Sequence, residues 1–131
     1  MPTKFCTPAT ETIRHSKSLS YESQTATWLL QDGWEVLLPM IDHGLKTDVV
    51  ISDGYSFYRI QVKSLETSEE TTWVENKWGD APVDFVVYFS RTSHWGYIMP
   101  AFKESRRRLN APGHIRFHQD AKPFIKAFNR L

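Results

Sequence analysis

Cysteine is all but missing from this chain of 131 residues: Cys6 stands alone, so no internal disulfide can form, and the composition fits a reducing compartment. Long apolar runs are missing as well. Nothing approaches the ~18 consecutive apolar residues that mark a membrane-spanning helix. The opening stretch, MPTKFCTPATETIRHSKS, lacks the apolar segment of a secretory signal. These absences argue for a cytoplasmic, intracellular protein with no membrane partner. Repeats and low-complexity tracts are absent too. The five histidines have neither cysteine partners nor zinc-like spacing, which excludes a zinc site. An excess of one charge is lacking only in the total, which is +1. Residues 101–131 carry eight Lys or Arg against Glu104 and Asp120, and residues 1–100 carry eight against thirteen acids. A basic C-terminal quarter on an otherwise acidic chain hints at a polyanionic partner.

What is present is a folded single domain spanning 1–131, since 40% of the residues are hydrophobic and 14% aromatic. Residues 1–18, polar and containing Pro2 and Pro8, read as an N-terminal arm. Helical spacing runs from Ser20 to Asp32 and stops at Gly33. WEVLLP (34–39), DFVVYF (84–89) and GYIMP (96–100) read as strands, AFKESRRRL (101–109) as a helix, HIRFH as a short edge strand and DAKPFIKAFNRL as a final helix. The expected fold class is α/β, a mixed β-sheet of about five strands flanked by helices.

The informative stretch is TDVVISDGYSFYRIQVKS, residues 47–64. Period-two alternation puts Tyr58, Ile60 and Val62 on one strand face and Phe57, Arg59, Gln61 and Lys63 on the other. With Asp53-Gly54 as a two-residue turn, Asp48 falls opposite Arg59 and Gln61 becomes its diagonal neighbour. A carboxylate, an amide oxygen and a nearby backbone carbonyl, that of Val62, are hard oxygen ligands of the kind Mg²⁺ accepts. A lysine beside such an ion can orient or deprotonate water, or stabilise charge on phosphorus. The same residues also fit a solvated strand face on which Asp48 and Lys63 pair. Glu22 shares a helical stripe with Ala26 and Leu29, which turns it toward the sheet; a glutamate near a helix start is equally served by the helix dipole.

An early-helix glutamate, GLKTDVV, and RIQVKS thirteen residues after the aspartate together resemble the PD-(D/E)XK nuclease superfamily. Within it they are most similar to Holliday-junction resolvases, with their (I/V)-E-V-K-S strand, and to intron-encoded homing endonucleases. The likeness covers roughly residues 20–100. It implies a restriction-endonuclease-like core and, position by position, catalytic roles for Glu22, Asp48, Gln61 and Lys63, with Glu22, Asp48, Gln61 and the Val62 carbonyl as metal ligands. It implies metal-dependent hydrolysis of DNA phosphodiester bonds with Mg²⁺, for which Mn²⁺ can substitute. The chain would be a homing, mobile-element or phage enzyme, working in the nucleoid or in a phage-infected cell. A Holliday-junction resolvase is the alternative, and a DNA-binding module with a degenerate site is another. Thr47 stands where the motif has proline, and Gln61 where it has an acid, which removes one negative charge from the site. Candidate DNA contacts are the stripe Lys122, Lys126 and Arg130, the run Arg106, Arg107 and Arg108 (fanned around a helix on this reading), Arg116, and His43 beside Asp48. One site per chain implies a homodimer or homotetramer for cutting both strands.

Overall fold

The computed structural model describes residues 1–41 and 44–131. Between Pro8 and Gly33 the sequence contains neither proline nor glycine, and a single helix, α1 (Thr10–Gln31), fills the interval. It starts ten residues before Ser20, so half of the expected arm is helix and only residues 1–9 precede it. That early half was hard to see because it buries little: the buried positions are Tyr21, Thr25, Ala26, Trp28 and Leu29, all in the second half. Gly33, at φ +97°, ends the helix; its N–H donates to the Leu30 carbonyl at 3.0 Å and that of Trp34 to the Leu29 carbonyl at 3.1 Å.

Three strands follow: β1 (Glu35–Leu37), β2 (Val49–Ser52) and β3 (Phe57–Leu65). A short β4 (Trp73–Glu75) precedes β5 (Phe85–Ser90), β6 (Trp95–Pro100), β7 (Arg106–Arg108) and β8 (Ile115–His118), and α2 (Ala121–Phe128) closes the chain. The main sheet is mixed and has six strands rather than five, in the order β1-β2-β3-β5-β6-β8. Every neighbouring pair is antiparallel except β3 and β5, which run parallel at the centre. The segment read as a helix from 101 to 109 is not one. Its arginines form β7, paired antiparallel with β4 as a separate two-stranded ribbon.

The sheet divides two cores. On one face α1 and α2 lie side by side over Val49, Ile51, Ile60, Val62, Val87 and Phe89. Aromatic rings fill that layer, Trp28 lying 5.0 Å from Phe124 and Phe117 5.1 Å from Phe124 between centroids. On the opposite face Val86, Tyr88, Tyr97 and Met99 pack against Val74 of the ribbon and against Trp78, Phe102 and Leu109. Residues that alternate with the helix-side set therefore point toward the ribbon side, and the candidate site lies there.

Candidate active site

The β2–β3 hairpin turns through four residues, not two. Val50 pairs with Arg59 and Ser52 with Phe57, leaving Asp53–Ser56 as the turn. Asp53 holds it: one carboxylate oxygen accepts the N–H groups of Tyr55 at 2.9 Å and Ser56 at 2.8 Å, which keeps that carboxyl below its usual range. The wider turn slides the register by two residues from the expected one. Asp48 consequently falls beside Gln61 and Val62 rather than opposite Arg59. Its N–H donates to the Ile60 carbonyl at 2.9 Å, and its Oδ2 accepts the Val62 N–H at 2.8 Å. The carboxylate thus stands in for a ladder bond just before β2 begins. A strand residue sends its N–H and C=O out of the same edge, so the Val62 carbonyl leaves β3 on the edge that the Asp48 carboxylate occupies.

Alternation then sets Asp48, Gln61 and Lys63 on the ribbon-side face, since Val49, Ile60 and Val62 belong to the helix-side core. Gln61 is only 7% exposed. Its Oε1 is fully buried and meets no hydrogen-bond donor among the described residues. A bare amide oxygen in that position is costly unless something else completes it. Lys63 is half-buried, and its ammonium is held below the usual lysine range. Desolvation is the main cause; repulsion from Lys77 and Lys46 adds to it, and attraction to Asp48 works against it.

Beside Lys63 opens a cleft of about 440 Å³, bordered by Ser18 of α1, Trp73 and Glu75 of β4, Lys77 and Arg91. Tyr88, the register partner of Lys63, lines it as well, and the Tyr88 hydroxyl is buried with no hydrogen-bond partner among the described residues. Burial raises the pKa of that phenol, which keeps it a proton donor. Glu22 comes from the opposite face. It is half-buried on α1, one helical turn beyond Ser18, and so lies on the helix that borders the cleft rather than on the strand face of the other three. No group of three or more His, Cys, Asp or Glu is gathered for a metal among the described residues. The oxygens on this face that could hold an ion are of mixed kind: the Asp48 carboxylate, the unmatched Gln61 amide oxygen and the Val62 carbonyl. Hard oxygens of this kind suit Mg²⁺ or Mn²⁺, and the orphaned Gln61 oxygen is the feature that fits such an ion.

Two supporting contacts have no counterpart in the sequence pattern. Thr47, in the motif's proline position, is buried, and its hydroxyl accepts from Arg59 Nη1 at 3.2 Å. Arg91, in the β5–β6 turn, donates to Ser64 Oγ at 2.8 Å, Glu66 Oε1 at 3.3 Å and Ser18 Oγ, tying α1 to the end of β3. No local pattern marks a lone arginine whose partner Ser18 lies 73 residues away.

The candidate DNA contacts scatter. Lys122 and Lys126 are exposed on α2, on the far side of the sheet from Lys63, and Arg130 follows that helix. Arg116 is committed to Glu70, whose Oε1 accepts its Nε at 2.7 Å. Arg107 turns inward, donating to the Pro112 carbonyl at 3.1 Å. Arg106 and Arg108 point outward from the ribbon, where burial alternates. His43 lies outside the described residues.

The fold is shared with two solved nucleases. Among solved structures it is similar to the bacterial homing endonuclease I-Ssp6803I, with a TM-score of 0.59 and 24% identity over 74% of this chain and 78% of that one. It is also similar to Hjc, a Holliday junction resolvase from Archaeoglobus fulgidus, with a TM-score of 0.50 and 12% identity over 82% and 88% of the two chains. No protein-family model matches the sequence, and a comparison with the curated proteins finds no match.

Proposed function

We propose that this chain is a divalent-metal-dependent endonuclease that hydrolyses DNA phosphodiester bonds, of the homing, mobile-element or phage kind, acting on linear duplex as a homodimer or homotetramer. The observation that carries the reading is the buried, unmatched Gln61 amide oxygen on one strand face with Asp48 and Lys63, of which Lys63 lines the basic cleft. Asp48, Gln61 and the Val62 carbonyl would hold the ion, with Glu22 approaching from α1. Bound there, Mg²⁺ or Mn²⁺ supplies charge neutralisation and polarisation of the phosphoryl group. Lys63 does the rest of the work that this face can do. With its hold on a proton weakened, Nζ would take one from the attacking water as the water oxygen bonds to phosphorus. The P–O bond to the leaving group breaks, and that oxygen takes a proton from solvent, leaving a phosphate and a hydroxyl end. Asp48 positions Val62 through the 2.8 Å bond, and so fixes where β3 presents Gln61 and Lys63. The greater likeness to the homing endonuclease than to the resolvase favours linear duplex over a four-way junction.

The test is cleavage of linear duplex and four-way junction by the wild type and Asp48→Ala, with Mg²⁺, Mn²⁺ or EDTA. The wild type is expected to cut linear duplex only when metal is present. Asp48→Ala should lose on the order of 10²–10³ in rate, the scale for removing a group that acts on developing charge, while its circular dichroism stays native. Full activity in the folded variant would refute the assignment. Preferential junction cutting would move the protein to the resolvase class, and binding without cutting would make it a DNA-binding module.

A further inference from the structure

The β4–β7 ribbon lies outside the main sheet, and its two faces differ. Val74 is 3% exposed and packs into the ribbon-side core, with Arg107 beside it in register and its guanidinium 5.9 Å from the Phe102 ring. The outer face carries Trp73, Glu75, Arg106 and Arg108. Trp73 is 44% exposed, and two guanidiniums lie over its indole, Arg106 at 4.5 Å and Arg108 at 4.2 Å from the ring centroid. Placing two cations on one ring costs mutual repulsion, and cation–π attraction recovers only about 0.5–1 kcal/mol each at exposed sites. Neither arginine pairs with a carboxylate among the described residues, although Glu75 is the register partner of Arg106. Arg91 and Arg116 each have such a carboxylate, so the contrast is within one molecule. Arg108 spends one N–H on the Thr71 carbonyl at 2.9 Å. The remaining N–H edges face out, held by a flat ring that limits rotamer freedom before any ligand arrives. The same Trp73 borders the cleft shared with Lys63 and Lys77.

We propose that the outer face of the β4–β7 ribbon is a duplex-DNA docking rail, on which Trp73 presents Arg106 and Arg108 to two phosphates flanking the bond that reaches Lys63. The inference rests on the nuclease reading and adds to it where the substrate backbone leaves the site. The partner is fixed by chemistry: two adjacent, unneutralised guanidinium forks match a polyanion with regularly repeated charge, and their ring support removes part of the ordering cost. The contact is sequence-independent, because phosphates carry no base information.

Binding of a fluorescent linear duplex in EDTA, measured by anisotropy across a salt series, tests this without any catalytic step. The double variant Arg106→Gln/Arg108→Gln should lower the slope of log K against log salt by about 2, and weaken binding at low salt about tenfold or more on any sequence. Trp73→Ala should weaken binding in the same direction while leaving both charges in place. A double variant with the wild-type slope and affinity overturns the rail while leaving the nuclease assignment standing. A wild type that binds no duplex overturns both.

Discussion

Gln61 concentrates the argument about single residues. A buried amide oxygen without a donor costs roughly 1–3 kcal/mol relative to a satisfied one, so this side chain is expensive in the metal-free protein. Replacing it by leucine should therefore raise thermal stability in EDTA by about 1 kcal/mol while shifting the Mg²⁺ titration of cleavage to higher concentration. Gln61→Glu should do the opposite on both counts, since a buried carboxylate is costlier bare and a better ligand when filled. Melting curves with and without Mg²⁺, read beside the titrations, check the pair; three proteins with one metal dependence would remove Gln61 from the ligand set. Lys63 predicts a pH dependence. Desolvation and the neighbouring Lys77 hold its ammonium below the lysine range, outweighing Asp48. Activity should rise with pH and level off below the ordinary lysine value of about 10.4. The folded state binds this proton less tightly than the unfolded chain, so the residue costs stability below its folded pKa, and that cost fades as pH rises toward the unfolded value. Lys63→Arg, permanently charged, should lose the rising limb in a pH–rate profile at saturating metal. That Asp48, Gln61 and Lys63 share a strand face was legible because strand alternation is a local rule. Arg91 and the Thr47–Arg59 bond were not, being contacts between distant parts of the chain.

Elements were legible where burial is regular and missed where pairing decides. AFKESRRRL is helix-compatible locally, yet Arg106–Arg108 pair with Trp73–Glu75, and the Asn76 side-chain amide donates to the Phe102 carbonyl at 2.9 Å, drawing the segment into extended form. Strand β4 itself, three residues inside a polar stretch, carries too few apolar positions for any period to show. The two-residue turn expected from Asp53-Gly54 lost to the Asp53 carboxylate's two backbone bonds, a side-chain effect that a dipeptide signal does not capture. Strand β6 offers a direct test of packing. A Cβ built on Gly96 would sit 2.4 Å from Phe117 Cζ and 2.7 Å from the Tyr88 carbonyl oxygen. The phenyl ring is locked in the aromatic layer under α1 and α2, and the carbonyl belongs to β5, so neither yields freely. Gly96→Ala should destabilise the protein by about 1–3 kcal/mol, seen as a lower urea midpoint; an unmoved midpoint would mean that β6 and β8 part more easily than their packing indicates.

At the scale of the whole molecule, the α/β class and the mixed sheet followed from element order, whereas the sixth strand and the separate ribbon depend on which strands meet. The ribbon's independence has a kinetic consequence. Besides its own register, it is extended by Asn76 N–H to the Ser105 carbonyl at 2.9 Å and Leu109 N–H to the Thr72 carbonyl at 2.8 Å, again ribbon to ribbon. Among the described residues side chains fasten it to the sheet, chiefly Val74, Trp78, Phe102 and Leu109. Strands β3 and β5, paired on both sides at the centre of the sheet, can open only with the entire fold. Amide hydrogens in the ribbon should thus exchange with solvent deuterium well before those of β3 and β5, as a separate cooperative unit. Adding duplex DNA in EDTA should slow the ribbon's exchange and leave the central strands' rates as they were, so that one mass-spectrometric time course reads two clocks in a chain of 131 residues.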